Sequence, residues 1–282
     1  MLPGVPPLKD DVRVALGQIA VEALDATANL ERIARSCGEA AAGGADLVLF
    51  PELANIGQVP AFHPAFAARY VEAAEPVPGP FTDAVGQMAR RHGLHVVVGV
   101  AERDPEVQDG LLNSAVLVLP SGRVAGIQRK LHPAHGPERE YFGKGSEIVV
   151  VPTDLGVLSA QVCYDLYFPE VARAAALRGA EILCGIANIT DRPEWPDRLA
   201  HLAAVRAYEN MQHVAVVNRV GENHGRAFGG ESVVAVPPGL VVARGPRTEE
   251  ALVLADLHGK MLTEQRAERP VFDDRRPEVY GL

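Results

Sequence analysis

Val12, Val14 and Leu16 alternate with other residues along one face, and this period of two predicts a strand over residues 12–20. The period then changes. Leu30, Ile33, Ala34, Cys37 and Ala41 fall on one face at helical spacing, which predicts a helix over 25–42 stopped by Gly43-Gly44. Residues 45–50, ADLVLF, form a short apolar run suited to a fully buried strand, and it breaks off at Pro51-Glu52. The pattern recurs with a helix over 81–92, on the stripe Phe81, Ala84, Val85 and Met88, and a strand over 94–100. Segments 114–119 and 123–129 flank Pro120-Ser121-Gly122, which reads as a hairpin turn. Segments 147–151 and 156–162 form a second such pair around Thr153-Asp154.

The second half continues in the same way. Pro169 and Glu170 suit the first turn of a helix over 169–178, where a missing N–H is harmless and a negative charge meets the helix dipole. Strands are expected over 181–187, 212–220, 232–236, 240–244 and 251–257, with a helix over 196–210. Crossovers mixed with hairpins predict an α/β fold of mixed sheets layered with helices, not a purely parallel doubly wound sheet. No repeat, low-complexity stretch or linker divides the chain. The expected organisation is a flexible leader over 1–10, one domain over 11–262 and an extended C-terminal arm over 263–282.

Composition narrows the function. A net charge of −9 and the lack of a basic run argue against nucleic acid or an anionic membrane surface as partner. No apolar stretch is long enough to cross a bilayer. The three cysteines, Cys37, Cys163 and Cys184, have no metal-type spacing and suit free thiols in a reducing cytoplasm.

Three predicted strands end in a reactive side chain: Glu52 in LFPEL, Lys130 in IQRKLH and Cys163 in SAQVCYDLYFPE. Strand ends feed loops, and loops on a rigid sheet are where sites are built. Taken singly, Glu52 and Lys130 read as surface charges, and most free cysteines are small buried apolar residues. That bland reading suits Cys37 and Cys184. It suits Cys163 less well, because a thiol just before a helix meets oriented backbone N–H groups. Brought into one cleft, the three supply a base, an electrostatic clamp and a nucleophile for acyl transfer. His132 and His135 allow a metal-dependent reading, but no third ligand of matching spacing is near. A catalytically silent binding protein is the alternative of another class.

The blocks LFPEL, RKLH and VCYDLYFPE, with RAYEN (206–210), VVNRVGE (216–222) and FGGESVVAVPPG (228–239), resemble the nitrilase, or carbon–nitrogen hydrolase, superfamily over residues 12–257. The resemblance implies a four-layer α-β-β-α sandwich and a catalytic Glu52, Lys130 and Cys163, with the Tyr164 N–H helping to hold the oxyanion. It also implies a second glutamate, for which Glu138 fits better than Glu140. It implies pairing into a homodimer or higher homo-oligomer and no cofactor or metal. Cys163-Tyr164-Asp165 resembles the amide- and carbamoyl-cleaving branches, where nitrile-cleaving members look like Cys-Trp-Glu. The expected substrate is therefore a small amide or N-carbamoyl compound, with a nitrile as the rival. Phe142, Asn188 and Trp195 flank the catalytic strands and are candidate pocket walls, Trp195 being equally readable as a core anchor. Arg206 and Glu209 read as a structural pair.

Overall fold

The computed structural model describes residues 7–280. In its first half, β1 (Asp11–Gln18), α1 (Ala26–Ala42), β2 (Leu47–Leu49), α2 (Pro64–Ala73), α3 (Pro80–His92), β3 (His95–Arg103), β4 (Leu111–Val118) and β5 (Val124–Arg129) follow in order. A short α4 (Glu138–Tyr141) leads to β6 (Val150–Thr153), β7 (Gly156–Val162), a 3₁₀ turn (Cys163–Tyr167), α5 (Pro169–Leu177), β8 (Ile182–Ala187) and α6 (Arg198–Asn210). The chain closes with β9 (His213–Asn218), β10 (Glu222–Asn223), β11 (Arg226–Ala227), β12 (Val233–Val236), β13 (Leu240–Arg244), β14 (Ala251–His258), α7 (Gly259–Glu268) and α8 (Pro277–Tyr280).

Two six-stranded sheets result, ordered β14-β1-β2-β3-β4-β5 and β13-β12-β9-β8-β7-β6. In each, three parallel strands are flanked by antiparallel ones: β1, β2 and β3 in the first, β7, β8 and β9 in the second. The sheets pack face to face over Leu16, Leu49 and Val97 on one side and Val162, Cys184 and Val217 on the other. The outer face of the first sheet is covered by Ile33 and Cys37 of α1 and Val85 and Ala89 of α3. The outer face of the second is covered by Ala172 of α5 and by Leu199, Ala203 and Ala207 of α6. This is the expected α-β-β-α sandwich. It also explains the unbroken apolar runs of β2 and β8, which are buried on both faces. Asp25 caps α1 by accepting the Ala28 N–H at 3.0 Å, a contact that typically contributes about 1 kcal/mol.

Several expectations need revision. Helix α2 was not expected; it buries only Tyr70 and so carries little apolar periodicity. Strand β4 starts earlier than its predicted bound and takes in Asn113, a polar residue that interrupts the apolar run. The arm expected from residue 263 begins inside α7, which buries only Gly259 and Leu262 and so has a weak amphipathic signal. The leader divides: residues 1–6 lie outside the described residues, whereas Leu8 is buried and its N–H donates to the Glu181 carboxylate at 3.1 Å.

Candidate active site

Each reactive residue stands where a strand runs out. Beyond β2 the chain turns at Pro51 and lays Glu52 across β3 at Gly99. A Cβ on Gly99 would come within 2.4 Å of the Pro51 carbonyl oxygen and 2.5 Å of the Glu52 Cα, so this close crossing requires glycine. Lys130 follows β5; its N–H donates to the Asn113 carbonyl at 2.8 Å and its carbonyl accepts the Gly145 N–H at 2.7 Å. Cys163 follows β7 with φ at 49°, a left-handed conformation that bends the chain sharply into the 3₁₀ turn. Buried Asp165, two residues on, accepts the backbone N–H groups of Leu131 at 3.3 Å and His132 at 3.0 Å and meets His132 Nδ1 at 2.8 Å. That carboxylate ties the Lys130 loop to the Cys163 turn. From α6, Arg206 pairs with Glu209 at 2.9 Å and donates to the Leu166 carbonyl at 3.0 Å, bracing the same turn.

At the centre, Lys130 Nζ lies 2.7 Å from Glu52 Oε1 and 2.6 Å from Glu138 Oε1. Asn113 Nδ2 donates to the same two oxygens at 2.7 and 3.1 Å. Glu138 Oε2 accepts the Ala134 N–H at 3.0 Å. Glu52 Oε2 is buried and has no partner at all. Glu138 is buried and meets Lys130, whereas Glu140 is exposed.

Burial raises the Glu52 pKa above the ordinary carboxylate range, and the Glu138 charge adds to it, while Lys130 and Asn113 oppose the rise. For Lys130, burial pulls the ammonium down, but the surrounding Glu52, Cys163 and Glu138 outweigh it and hold the amine firmly protonated. Cys163 is partly exposed on a cavity, yet the surrounding protein desolvates its thiol and pushes its pKa up. Glu52 adds to that rise; Lys130 and a backbone contact from Asn188 work against it. Cys163 is therefore a thiol of raised pKa within electrostatic reach of a carboxylate of raised pKa and a firmly protonated amine. Cys37 and Cys184 are buried in apolar surroundings that push both thiols up to about 12, in keeping with packing roles.

Cys163 opens onto a cavity of about 800 Å³, within the range of small-molecule sites. Glu138, Tyr164, Asn188 and Trp195 share its wall, as do Tyr167 and Gln58. Asn188 is buried with neither its amide oxygen nor its amide nitrogen partnered. Trp195 is 61% exposed, which makes it a rim residue and not a core anchor. Phe142 does not reach the cavity wall: it is buried against Tyr70, ring centroids 6.0 Å apart and edge to face. It packs in an apolar cluster with Leu53, Ile56, Leu111 and Tyr141, and the next residue, Gly143, donates its N–H to the carbonyl of Leu111, the first residue of β4. The two histidines go separate ways. His132 stacks on Phe168 at 3.7 Å, while His135 meets the Tyr164 ring edge-on at 6.0 Å. Among the described residues no group of three or more His, Cys, Asp or Glu is arranged to hold a metal ion.

Sequence reasoning missed Asn113 and Asp165. A signal for the first exists: Asn113-Ser114 interrupts LLNSAVLV, and a polar residue inside a buried strand needs partners. Ser114 belongs to a second buried cluster. Its hydroxyl donates to Glu102 Oε2 at 2.5 Å, and Arg129 grips both oxygens of Glu102 at 3.1 and 2.7 Å.

Residues 13–267 match the family described as carbon-nitrogen hydrolase. A protein named nitrilase from Pyrococcus abyssi is 32% identical over 95% of this chain and 99% of its own. An omega-amidase from Bos taurus is 30% identical over 96% of this chain and 97% of its own. Among solved structures, an amidase from Nesterenkonia sp. superposes with a TM-score of 0.78 at 29% identity, covering 93% of this chain and 96% of that one.

Proposed function

The chain belongs to the carbon–nitrogen hydrolase family of the nitrilase superfamily, and from that premise we propose that it hydrolyses the C–N bond of a small amide or N-carbamoyl compound through a Cys163 thioester. The observation that carries the residue roles is the unpartnered Glu52 Oε2: a buried, raised-pKa carboxylate oxygen with nothing bonded to it is a base awaiting a proton. Glu52 takes the thiol proton as the sulfur attacks the carbonyl carbon. Burial raises the Cys163 pKa, so the thiol needs a base to take its proton, and Glu52 is the carboxylate within electrostatic reach. The oxyanion meets the Lys130 ammonium and the Tyr164 N–H at the start of the 3₁₀ turn; losing one such donor typically costs about two to three orders of magnitude. Glu52 passes its proton to the departing ammonia or amine and then activates the water that cleaves the thioester. Glu138, bonded to Lys130 at 2.6 Å, fixes the ammonium.

Relatives named amidases and the Cys163-Tyr164-Asp165 sequence favour amides over nitriles, although the Pyrococcus abyssi relative is named a nitrilase. Ammonia release from matched amide and nitrile pairs separates the two. Iodoacetamide should label Cys163 selectively, and Cys163→Ala should abolish turnover while leaving the melting temperature in place. Turnover surviving in Cys163→Ala would sink the mechanism. A homodimer is supported by exposed apolar residues on the outer helices, Leu177 on α5 and Val205 and Tyr208 on α6. Sedimentation measures it directly, with Tyr208→Asp expected to weaken the association. The three unpaired cysteines suit a reducing cytoplasm. No described helix is long and apolar enough to cross a membrane.

A further inference from the structure

A second cavity, of about 310 Å³, adjoins the one onto which Cys163 opens, and Tyr164 is the wall residue they have in common. Its size lies at the small end of the range for ligand sites. The segment that follows Lys130 serves both. Residues 134–138 line the cavity of Cys163, whereas residues 131–133 with Arg139, Phe142 and Lys144 line the second. Nothing in the proposed reaction uses this second cavity.

Its lining is of two chemical kinds. One is aromatic: the His132 and Phe168 rings are stacked, centroids 3.7 Å apart and 13° from parallel, and Tyr164 meets Phe168 edge-on at 5.2 Å. Phe142 adds a further ring. The other kind is cationic. Arg139 gives only its Nε–H away, to the Pro133 carbonyl at 3.3 Å, and neither Arg139 nor Lys144 has a carboxylate within ion-pair distance among the described residues. No described Asp or Glu belongs to the lining. On a chain of net charge −9, a cavity walled by two cations and no acid attracts anions. Its walls are also tied to the chemistry. His132 is held through its ring and its N–H by Asp165, two residues beyond Cys163, and Tyr164 carries the N–H to which the oxyanion was assigned.

We propose that this second cavity is a modulator site for a planar aromatic carboxylate, distinct from the substrate site. Arg139 and Lys144 meet the carboxylate, and the rings of Phe168, Phe142 and Tyr164 meet the aromatic body. Arginine suits the task because its planar fork matches a carboxylate in two-point contact. Aromatic rings add a preference for a flat ligand over a merely apolar one. The bound anion neutralises two cations close to the turn on which the oxyanion develops. Its occupation therefore slows the reaction without displacing substrate.

The test titrates the protein with 2-naphthoate in a calorimeter, beside uncharged 2-naphthalenemethanol and non-aromatic cyclohexanecarboxylate. The naphthoate is expected to bind more tightly than either control, and with its affinity little changed when Cys163 has been alkylated. Arg139→Gln combined with Lys144→Gln is expected to weaken it about tenfold, two charge-assisted contacts being lost. Both side chains are exposed, so the variant should fold, and its melting temperature checks that it does. With any amide that is turned over, saturating naphthoate should lower kcat about fivefold, a coupling at the small end of the usual range, and leave KM in place. Absence of binding overturns the inference. So does binding that alkylation of Cys163 abolishes, that the double variant leaves intact, or that competes with substrate. An unchanged kcat at saturation overturns the coupling to Cys163. The calorimetric arm needs no turnover, so it decides the site even if the amidase reading fails.

Discussion

Two buried glutamates on the first sheet show what separates a structural charge from a chemical one. Glu52 and Glu102 are both 1% exposed, and each meets a basic residue at the end of β5: Lys130 for Glu52, the preceding Arg129 for Glu102. Their second partners, Asn113 and Ser114, are also consecutive, on β4, and so project to opposite faces of the strand. Glu102 is saturated, with both oxygens held by Arg129 and one also by Ser114. Glu52 is bonded through Oε1 only, and Oε2 is left bare. Saturation makes Glu102 a clamp. The bare oxygen leaves Glu52 a free lone pair, which the proposed mechanism uses for the thiol proton. Burial is the same, and the count of donors decides the role.

The contrast can be broken by mutation. Glu52→Gln keeps shape and removes basicity; kcat is expected to fall by about three orders of magnitude, while Lys130 keeps Glu138 and the melting temperature barely moves. A large loss of stability with little loss of rate would reverse the assignment. Gly99→Ala tests how finely Glu52 is held. The new Cβ collides with the Pro51–Glu52 backbone and must displace it; such a shift is expected to lower kcat by about two orders of magnitude, measurable by ammonia release. Glu102→Gln should do the opposite of Glu52→Gln. It is expected to cost about 2 kcal/mol in denaturant unfolding, because Arg129 is partly exposed and regains water, while kcat/KM stays within a few-fold.

The smallest effect concerns pH. Activity needs Glu52 ionised, so it is present above the Glu52 pKa and lost as pH falls through it. Since that pKa is raised, chiefly by burial, the acid limb should lie above the ordinary carboxylate range. Asn113 donates to the ionised form and lowers the value, so Asn113→Ala should move the limb to higher pH. A limb that stays in place would remove Asn113 from the charge balance of the site. At the alkaline end Lys130 is held protonated and should set no limb below the usual lysine range.

The layered architecture was legible because both sheets are built from strands whose apolar runs stop at turn residues, as β2 does at Pro51 and β4 at Pro120-Ser121-Gly122. Glu52, Lys130 and Cys163 were legible for a related reason: each is a reactive side chain placed directly after such a run. What escaped was whatever depends on partners distant in sequence. Asp165 figures in the sequence only as part of Cys163-Tyr164-Asp165, and its bonds to Leu131 and His132 join it to a segment distant along the chain. Phe142 was misassigned because adjacency to a catalytic segment does not say which way a ring points, and Tyr70 of the unforeseen α2 is what receives it. Helices α2 and α7 carry short, weak stripes and leave little trace in a periodicity reading.

The left-handed backbone at residue 163 limits which chemistries this scaffold could ever adopt. At φ of 49° an unbranched side chain is tolerated with modest strain, whereas a second heavy atom on Cβ crowds the backbone severely. Serine could take over the attack on geometric grounds, but threonine could not, so any evolutionary or engineered route from sulfur to oxygen at this corner has a single door.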